Sequence, residues 1–314
     1  MRVRELIIAE PRPCPSCHAS TVLPLDDGRV LAAWFGGSRE GAVDVGIYLA
    51  CREQGGWRAP VRLSQQEGTP HWNPVLAQRA GEIWLFYKVG YAIAGWRTWV
   101  RRSRDGGRTW GSAYELVPGD IGGRGPVKNK PIALAEGAWL AGASTERGAW
   151  LPMADLSLDG GASWSAALVP APEGVGLIQP TLWQDAMGET HMLLRSNAGR
   201  IYRSDAPDGR SWCQAYPTAL ANNNSGIDLD RDDAGALYLA YNPVSGDWAA
   251  RTPLALARSR DNGRSWQTVA TLAEGPGEYS YPAVAVRGDT LHVTYTYRRE
   301  NIAYDRFDLR EWEG

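Results

Sequence analysis

SRDGGRTW at residues 103–110, SLDGGASW at 157–164 and SRDNGRSW at 259–266 are one octet written three times. DAPDGRSW at 205–212 is a fourth copy with an altered front, and REQGGW at 52–57 and DLREW at 308–312 are worn versions. The tryptophans that close them, Trp57, Trp110, Trp164, Trp212, Trp266 and Trp312, lie 53, 54, 48, 54 and 46 residues apart, which is the spacing of a repeat. The pattern reads as a turn: the Asp accepts hydrogen bonds from turn amides, Gly takes a positive φ, and Trp packs between neighbouring sheets. It carries structure and implies no chemistry.

The stretches at 17–34, 71–87, 128–144, 178–195, 224–241 and 279–296 share a polar start, a short apolar strand, a Gly-containing turn and a second strand. A third strand follows each, as in VGIYLACR at 45–52, and the Trp octet turns the chain into a fourth. Six four-stranded units predict an all-β, six-bladed propeller that takes up residues 1–314 as a single domain. Little sequence follows the sixth unit, so RELIIAE at 4–10 is expected to supply its outer strand and close the ring.

The octets are similar to the Asp boxes of the sialidase (neuraminidase) superfamily, and the whole chain resembles its six-bladed members. FGGSREG at 35–41, KNKP at 128–131, NSGID at 224–228 and EYSYPA at 278–283 resemble the bacterial predicted-neuraminidase group.

Lys and Arg number 33 against 35 Asp and Glu, a net charge of −2, so nothing global calls for nucleic acid or an acidic membrane. The N-terminal apolar stretch is four residues long, far short of a signal segment, and no segment approaches the ~18 apolar residues of a membrane span. A cytoplasmic protein with no nucleic-acid or membrane partner is the expectation. CPSCH at 14–18 matches a haem-attachment motif letter for letter. Cys51 and Cys213 are isolated, so a second zinc pair is lacking, and the motif reads as incidental thiols. No cofactor and no metal are expected.

Up-and-down connectivity brings first-strand starts, second-strand ends and third-strand starts to one end of the ring, with the octets at the other. That mouth gathers His18, His71, Trp72, Asn73, Lys128, Lys130, Gln179, Asn224, Asp228, Tyr279 and Tyr281 from first strands. Second-strand ends add Arg39, Glu40, Lys88, Glu146, Arg195 and Arg298 with Arg299, and third-strand starts add Asp44 and Arg251. His18 is read as the blade-one counterpart of Lys130, Gln179 and Tyr281, whereas His191 and His292 sit mid-strand as structural residues. A basic mouth on a net-negative chain points to an anionic ligand, and Trp72 offers a face for a sugar ring. An acidic mono- or oligosaccharide is the expected substrate.

The resemblance implies roles. Tyr279 looks like the sialidase nucleophile with Tyr281 as its competitor, Asp44 like the acid/base, and Arg195 and Arg251 like two members of the arginine clamp. His18 stands where the family's Arg-Ile-Pro motif would begin, and Gln179 where its glutamate would stand. A neutral amide takes no phenol proton, so Glu146 or Glu278 would substitute, with Glu40 nearby. Three functions stay open: an exo-glycosidase on a terminal sialic- or uronic-type sugar, a uronate lyase using Tyr and His, and a glycan-binding propeller without chemistry.

Overall fold

The computed structural model describes residues 2–64 and 66–312. Blade 1 is built from Ser16–Pro24, Val30–Gly37 and Gly46–Glu53, with Gly56–Trp57 and Val61–Arg62 on its outer side. Blade 2 is His71–Arg79, Glu82–Val89, Arg97–Ser103 and Tyr114–Glu115, and blade 4 is Leu177–Gln184, Thr190–Ser196, Arg200–Ala206 and Tyr216–Ala221. Blade 5 is Asp228–Arg231, Leu237–Tyr241, Leu254–Ser259 and Gln267–Ala273. In blade 6, Tyr279–Arg287, Thr290–Tyr297 and Asn301–Asp308 are completed by Val3–Leu6, which pairs antiparallel with the third strand, Val3 opposite Arg306. The six sheets form the six-bladed propeller expected from the octets, closed by the N-terminal strand.

The octets behave as turn staples. Asp105 accepts from the amides of Arg108 and Thr109 and from Thr109 Oγ1, at 3.0, 2.9 and 2.6 Å, while Ser103 Oγ accepts the Gly107 amide at 2.8 Å. Asp159 and Asp261 make the corresponding bonds to Ser163 and Ser265. The hydroxyl of that Ser is the largest of the causes that hold both carboxyls down at about 2. Each box also docks on the blade before it. Gly161 has φ +95°, and a Cβ there would meet the Trp84 ring of blade 2 at 2.8 Å, so glycine is required twice over. Trp164 stands against Trp84's neighbours Phe86 and Trp139, and even the worn copies keep the role, Trp57 packing on Tyr304 and Trp312 on Tyr238.

Blade 3 departs from the pattern. Its first strand is only Ile132–Ala133, beside Trp139–Thr145, Leu151–Ser157 and Ser165–Leu168. The preceding Lys128-Asn129-Lys130 instead ties blades together around the axis. Lys128 Nζ donates to Ile227 O and Pro282 O, and Lys130 Nζ donates to Leu229 O and Val284 O, so residues two apart reach carbonyls two apart on blades 5 and 6. Asn129 Nδ2 donates to Gln179 O and Pro180 O of blade 4.

A second irregularity recurs at the mouth. The first strands of blades 1, 2, 4 and 6 each carry a bulge, at His18/Thr21, Trp72/Val75, Ile178/Thr181 and Ser280/Ala283. Within each lies a non-glycine residue in the left-handed region: Ala19, Asn73, Gln179 and Tyr281, at φ 53°, 40°, 53° and 50°. Bulges re-aim side chains, and here the device is used four times around one opening.

Candidate active site

A cavity of about 230 Å³ opens at the mouth, lined by His18, Glu40, Trp72, Asn73, Glu146, Gln179, Arg195, Arg251, Tyr281 and Arg299, with Ile93, Trp96 and Trp248 as further walls. Arg195, from the end of the second strand of blade 4, is 2% exposed. Its Nε donates to Asn224 Oδ1 at 2.7 Å, and its Nη1 donates to Gln179 Oε1 at 3.1 Å and to Tyr281 Oη at 2.6 Å. Every one of these partners is neutral, and among the described residues no carboxylate forms an ion pair with Arg195. A buried cation without an ion-paired carboxylate is costly, and an anionic ligand would offset that cost.

The other two arginines are paired. Arg251 Nη1 lies 2.7 Å from Glu278 Oε1, and Arg299 contacts both Glu278 and Glu40. Burial works to raise the Glu278 carboxyl, but Arg251 and then Arg299 outweigh it and hold it below the usual range. Glu146 is the opposite case. No hydrogen bond or ion pair reaches it from the described residues, and burial raises its pKa against the pull of Arg195.

Tyr281 is enclosed by cations and an imidazole. The Arg251 guanidinium lies 5.3 Å from its ring centroid, Lys128 Nζ 6.0 Å, and the His18 ring 4.3 Å at a 50° tilt. His18 is buried, which pushes its pKa well below the ordinary imidazole value, and the nearby Arg299 and Arg251 add to that push. Its Nδ1 shares a hydrogen bond with Thr296 Oγ1 at 2.8 Å and lies 3.8 Å from Glu278 Oε1. The pocket thus holds a tyrosine, a neutral base, an unpaired carboxyl that keeps its proton more readily than usual, and an unpaired guanidinium.

Several residues expected at the mouth lie elsewhere. Tyr279 is in the core between blades 5 and 6, its hydroxyl donating to Pro276 O and accepting from Arg298 Nε, so Tyr281 is the pocket tyrosine. Asp44 sits exposed in a turn. What burial it has works to raise its pKa, but bonds from the Ser38 hydroxyl and amide hold it low, the wrong direction for an acid. His71 is fully buried with Nδ1 on Val45 O and Nε2 on Gln66 Oε1, outside the cavity. Lys88 binds Thr98 Oγ1 and Arg124 O, and burial pushes both it and Lys128 down to about 7.

Lys128, Lys130 and Asp228 belong to the axial tie, where Asp228 accepts from Thr181 Oγ1 and the Val284 amide. Arg39 and Arg298 do not line the cavity, and Asn224 acts behind Arg195 by orienting it. The register of His18 also needs correction: Ala19, one residue on, is the counterpart of Gln179 and Tyr281. Trp96 and Trp248 were missed, although both lie on Gly-containing loops joining second to third strands, which must run over the mouth.

The cysteines are all free, with Cys17 buried and Cys14 Sγ directed to Ser16 O. Among the described residues, Asp185, Glu189 and His191 have ligand atoms close enough to hold a metal, but both His191 nitrogens already face carboxylates, Asp185 and Asp205. His292 shares a bond with Tyr304 Oη in the core.

A family model described as a BNR repeat-like domain matches residues 28–293. The chain belongs to this family. Solved structures agree on the fold of this BNR repeat-like protein. A protein of unknown function from Dyadobacter fermentans superposes with a TM-score of 0.78 at 14% identity, covering 96% of this chain and 97% of that one. The Hadza microbial sialidase Hz136 gives 0.81 at 15%, covering 95% and 66%. Trypanosoma rangeli sialidase, in complex with the inhibitor DANA, gives 0.78 at 12%, covering 99% and 61%. The chain therefore spans less than two thirds of either sialidase. No curated protein matches in sequence.

Proposed function

We propose that the protein is an exo-acting glycosidase that removes a terminal acidic sugar. The observation that carries this reading is Arg195, a buried guanidinium with no ion-paired carboxylate among the described residues, beside a tyrosine hydroxyl. The sugar carboxylate would bind Arg195, with Arg251 and Arg299 adding charge. The Tyr281 oxygen attacks the anomeric carbon as the glycosidic C–O bond breaks, Glu146 gives its proton to the leaving oxygen, and His18 takes the phenol proton. Water then attacks the same carbon and gives its proton to Glu146 as the bond to the Tyr281 oxygen breaks, and His18 returns its proton to that oxygen. A neutral nucleophile suits a substrate that carries its own carboxylate.

A second reading, proton abstraction beside the carboxylate followed by elimination, is favoured by one feature: His18 is a neutral base adjoining Tyr281. The two readings separate on product, because elimination leaves an unsaturated, ultraviolet-absorbing sugar and hydrolysis does not.

Tyr281→Phe is expected to lower turnover about 10³-fold or more and to remove the adduct that a 2,3-difluorinated sugar acid forms with the parent, detected by mass spectrometry. Tyr279→Phe is expected to keep both. An adduct that survives in Tyr281→Phe, or equal losses in the two variants, would sink the assignment.

A further inference from the structure

A second cavity, about 700 Å³, is a groove on the mouth face between blades 3 and 4. One wall is the turn at 148–150 that leads into the Leu151–Ser157 strand. The other is the 169–176 connection, VPAPEGVG, in which Pro170 and Pro172 remove backbone donors and fix φ, so the wall is stiff and poor in hydrogen-bonding groups. Its apolar lining includes Trp150, Leu151, Leu168, Val169 and Val175. Leu151 and Leu168 are 40% and 65% exposed, which makes this a contiguous apolar surface open to solvent rather than a core.

The groove adjoins the charged pocket, with Trp150 of the one meeting Trp248 of the other. Trp150 lines it, and the same indole lies 5.6 Å from the Arg195 guanidinium. Trp248, a wall of the pocket at φ 55°, meets Trp150 edge-on at 6.4 Å. Glu146, the unpaired carboxyl of the pocket, lies two residues before Gly148, where the lining of the groove begins. The group that protonates the leaving oxygen must face the leaving group, so the space beyond Glu146 is where the aglycone goes. That space offers apolar contact and few polar partners.

We infer that the groove is the leaving-group subsite and that the natural substrate joins its acidic sugar to an apolar aglycone, an alkyl or aryl group rather than a second sugar. The inference rests on the glycosidase reading above. The opposed chemistry of the two cavities then divides the substrate: charge recognised by arginine on one side of the scissile bond, hydrocarbon on the other.

The test compares methyl and octyl glycosides of N-acetylneuraminic acid, and the same pair of glucuronic acid, on the parent and on Leu168→Asp, a substitution at an exposed position away from the pocket. The parent should cleave the octyl compound with kcat/KM at least about tenfold above the methyl compound. Leu168→Asp should lose that preference and leave the methyl rate unchanged. Equal rates on the two compounds, or a preference that persists in Leu168→Asp and in Leu151→Ser, would overturn it. So would dimerisation in light scattering that Leu168→Asp abolishes, which would give the face to a second copy. If neither compound is cleaved, the glycosidase reading fails by itself and calorimetric binding decides the groove: tighter octyl binding lost in Leu168→Asp supports an apolar-ligand site, and equal binding refutes it.

Discussion

The two ends of the ring solve the same local problem in opposite ways. Within the octets, left-handed backbone falls to glycine at Gly107, Gly161, Gly209 and Gly263, with Asn262 as an exception. At the first-strand starts of the mouth it falls to Ala19, Asn73, Gln179, Asn224 and Tyr281, residues for which such a backbone costs on the order of 1–3 kcal/mol each. The carboxylates differ in the same sense. Asp159 and Asp261 are saturated by their own turns and held at about 2, whereas Glu146 has no hydrogen bond or ion pair among the described residues and is raised by burial. One end spends its polar groups on itself and therefore can be repeated in sequence. The other leaves an arginine and a carboxyl unmatched, and each of those residues occurs once.

The comparison breaks most readily through Trp164, which belongs wholly to the self-satisfied end. It is 9% exposed, packs against Phe86 and Trp139, and donates Nε1–H to Gly161 O at 3.1 Å. Trp164→Ala should lower unfolding free energy by about 3–5 kcal/mol in urea titrations. Turnover per folded molecule should stay at the parent value. A matching loss of turnover in the fully folded variant would mean that the two ends are not separable.

The repeat made the propeller legible because its octets are local: an Asp, a Gly and a Trp within eight residues specify a turn and a packing contact wherever they occur. The site was legible only as a neighbourhood. Tyr279 and Tyr281 stand two apart, so a regular strand would point them to the same face. The bulge at Ser280/Ala283 breaks that alternation, leaving Tyr279 in the core and turning Tyr281 to the cavity. Pro282 within that bulge, like Pro74 and Pro180 in blades 2 and 4, marks the irregularity, but it does not say which tyrosine turns to the cavity. Lys128 and Lys130 misled for a related reason: blade 3 delays its first strand to Ile132, so residues that register would put at the opening become ties to blades 5 and 6. Asp44 matched a family position in sequence, yet its turn closes on Ser38.

Protonation sharpens the contrast next. The proposed reaction needs His18 neutral and Glu146 protonated. His18 is pushed below the ordinary imidazole range by burial, so the acid limb of kcat/KM should lie below that range, and activity is lost as pH falls through it. Glu146 is raised above the ordinary carboxylate range by burial, so activity is lost again as pH rises through its pKa. Glu146→Gln should abolish the alkaline limb and lower turnover about 10²-fold on alkyl glycosides, while sparing an activated aryl leaving group that departs without a proton. An unchanged alkaline limb in that variant would remove Glu146 from the acid role.

The smallest effect isolates the strain itself. Ala19 and Ala33 both lie in blade 1 and are both buried, at 2% and 0% exposure, but only Ala19 is left-handed. At Ala33, glycine removes a buried methyl, about 0.8 kcal/mol, and adds the chain-entropy penalty of glycine in a strand, about 0.5–1 kcal/mol. Ala33→Gly should therefore cost about 1.5 kcal/mol. Ala19→Gly loses the same two contributions but relieves a left-handed alanine, about 1–2 kcal/mol, and should come out near neutral. The measurement is the difference between the two variants in denaturant midpoints at constant m-value, which cancels the shared contributions. Ala19 makes a useful probe because its side chain brings no chemistry of its own. If Ala19→Gly costs as much as Ala33→Gly, the left-handed backbone at the mouth is not strained, and the mouth differs from the octet end in its unmatched charges only.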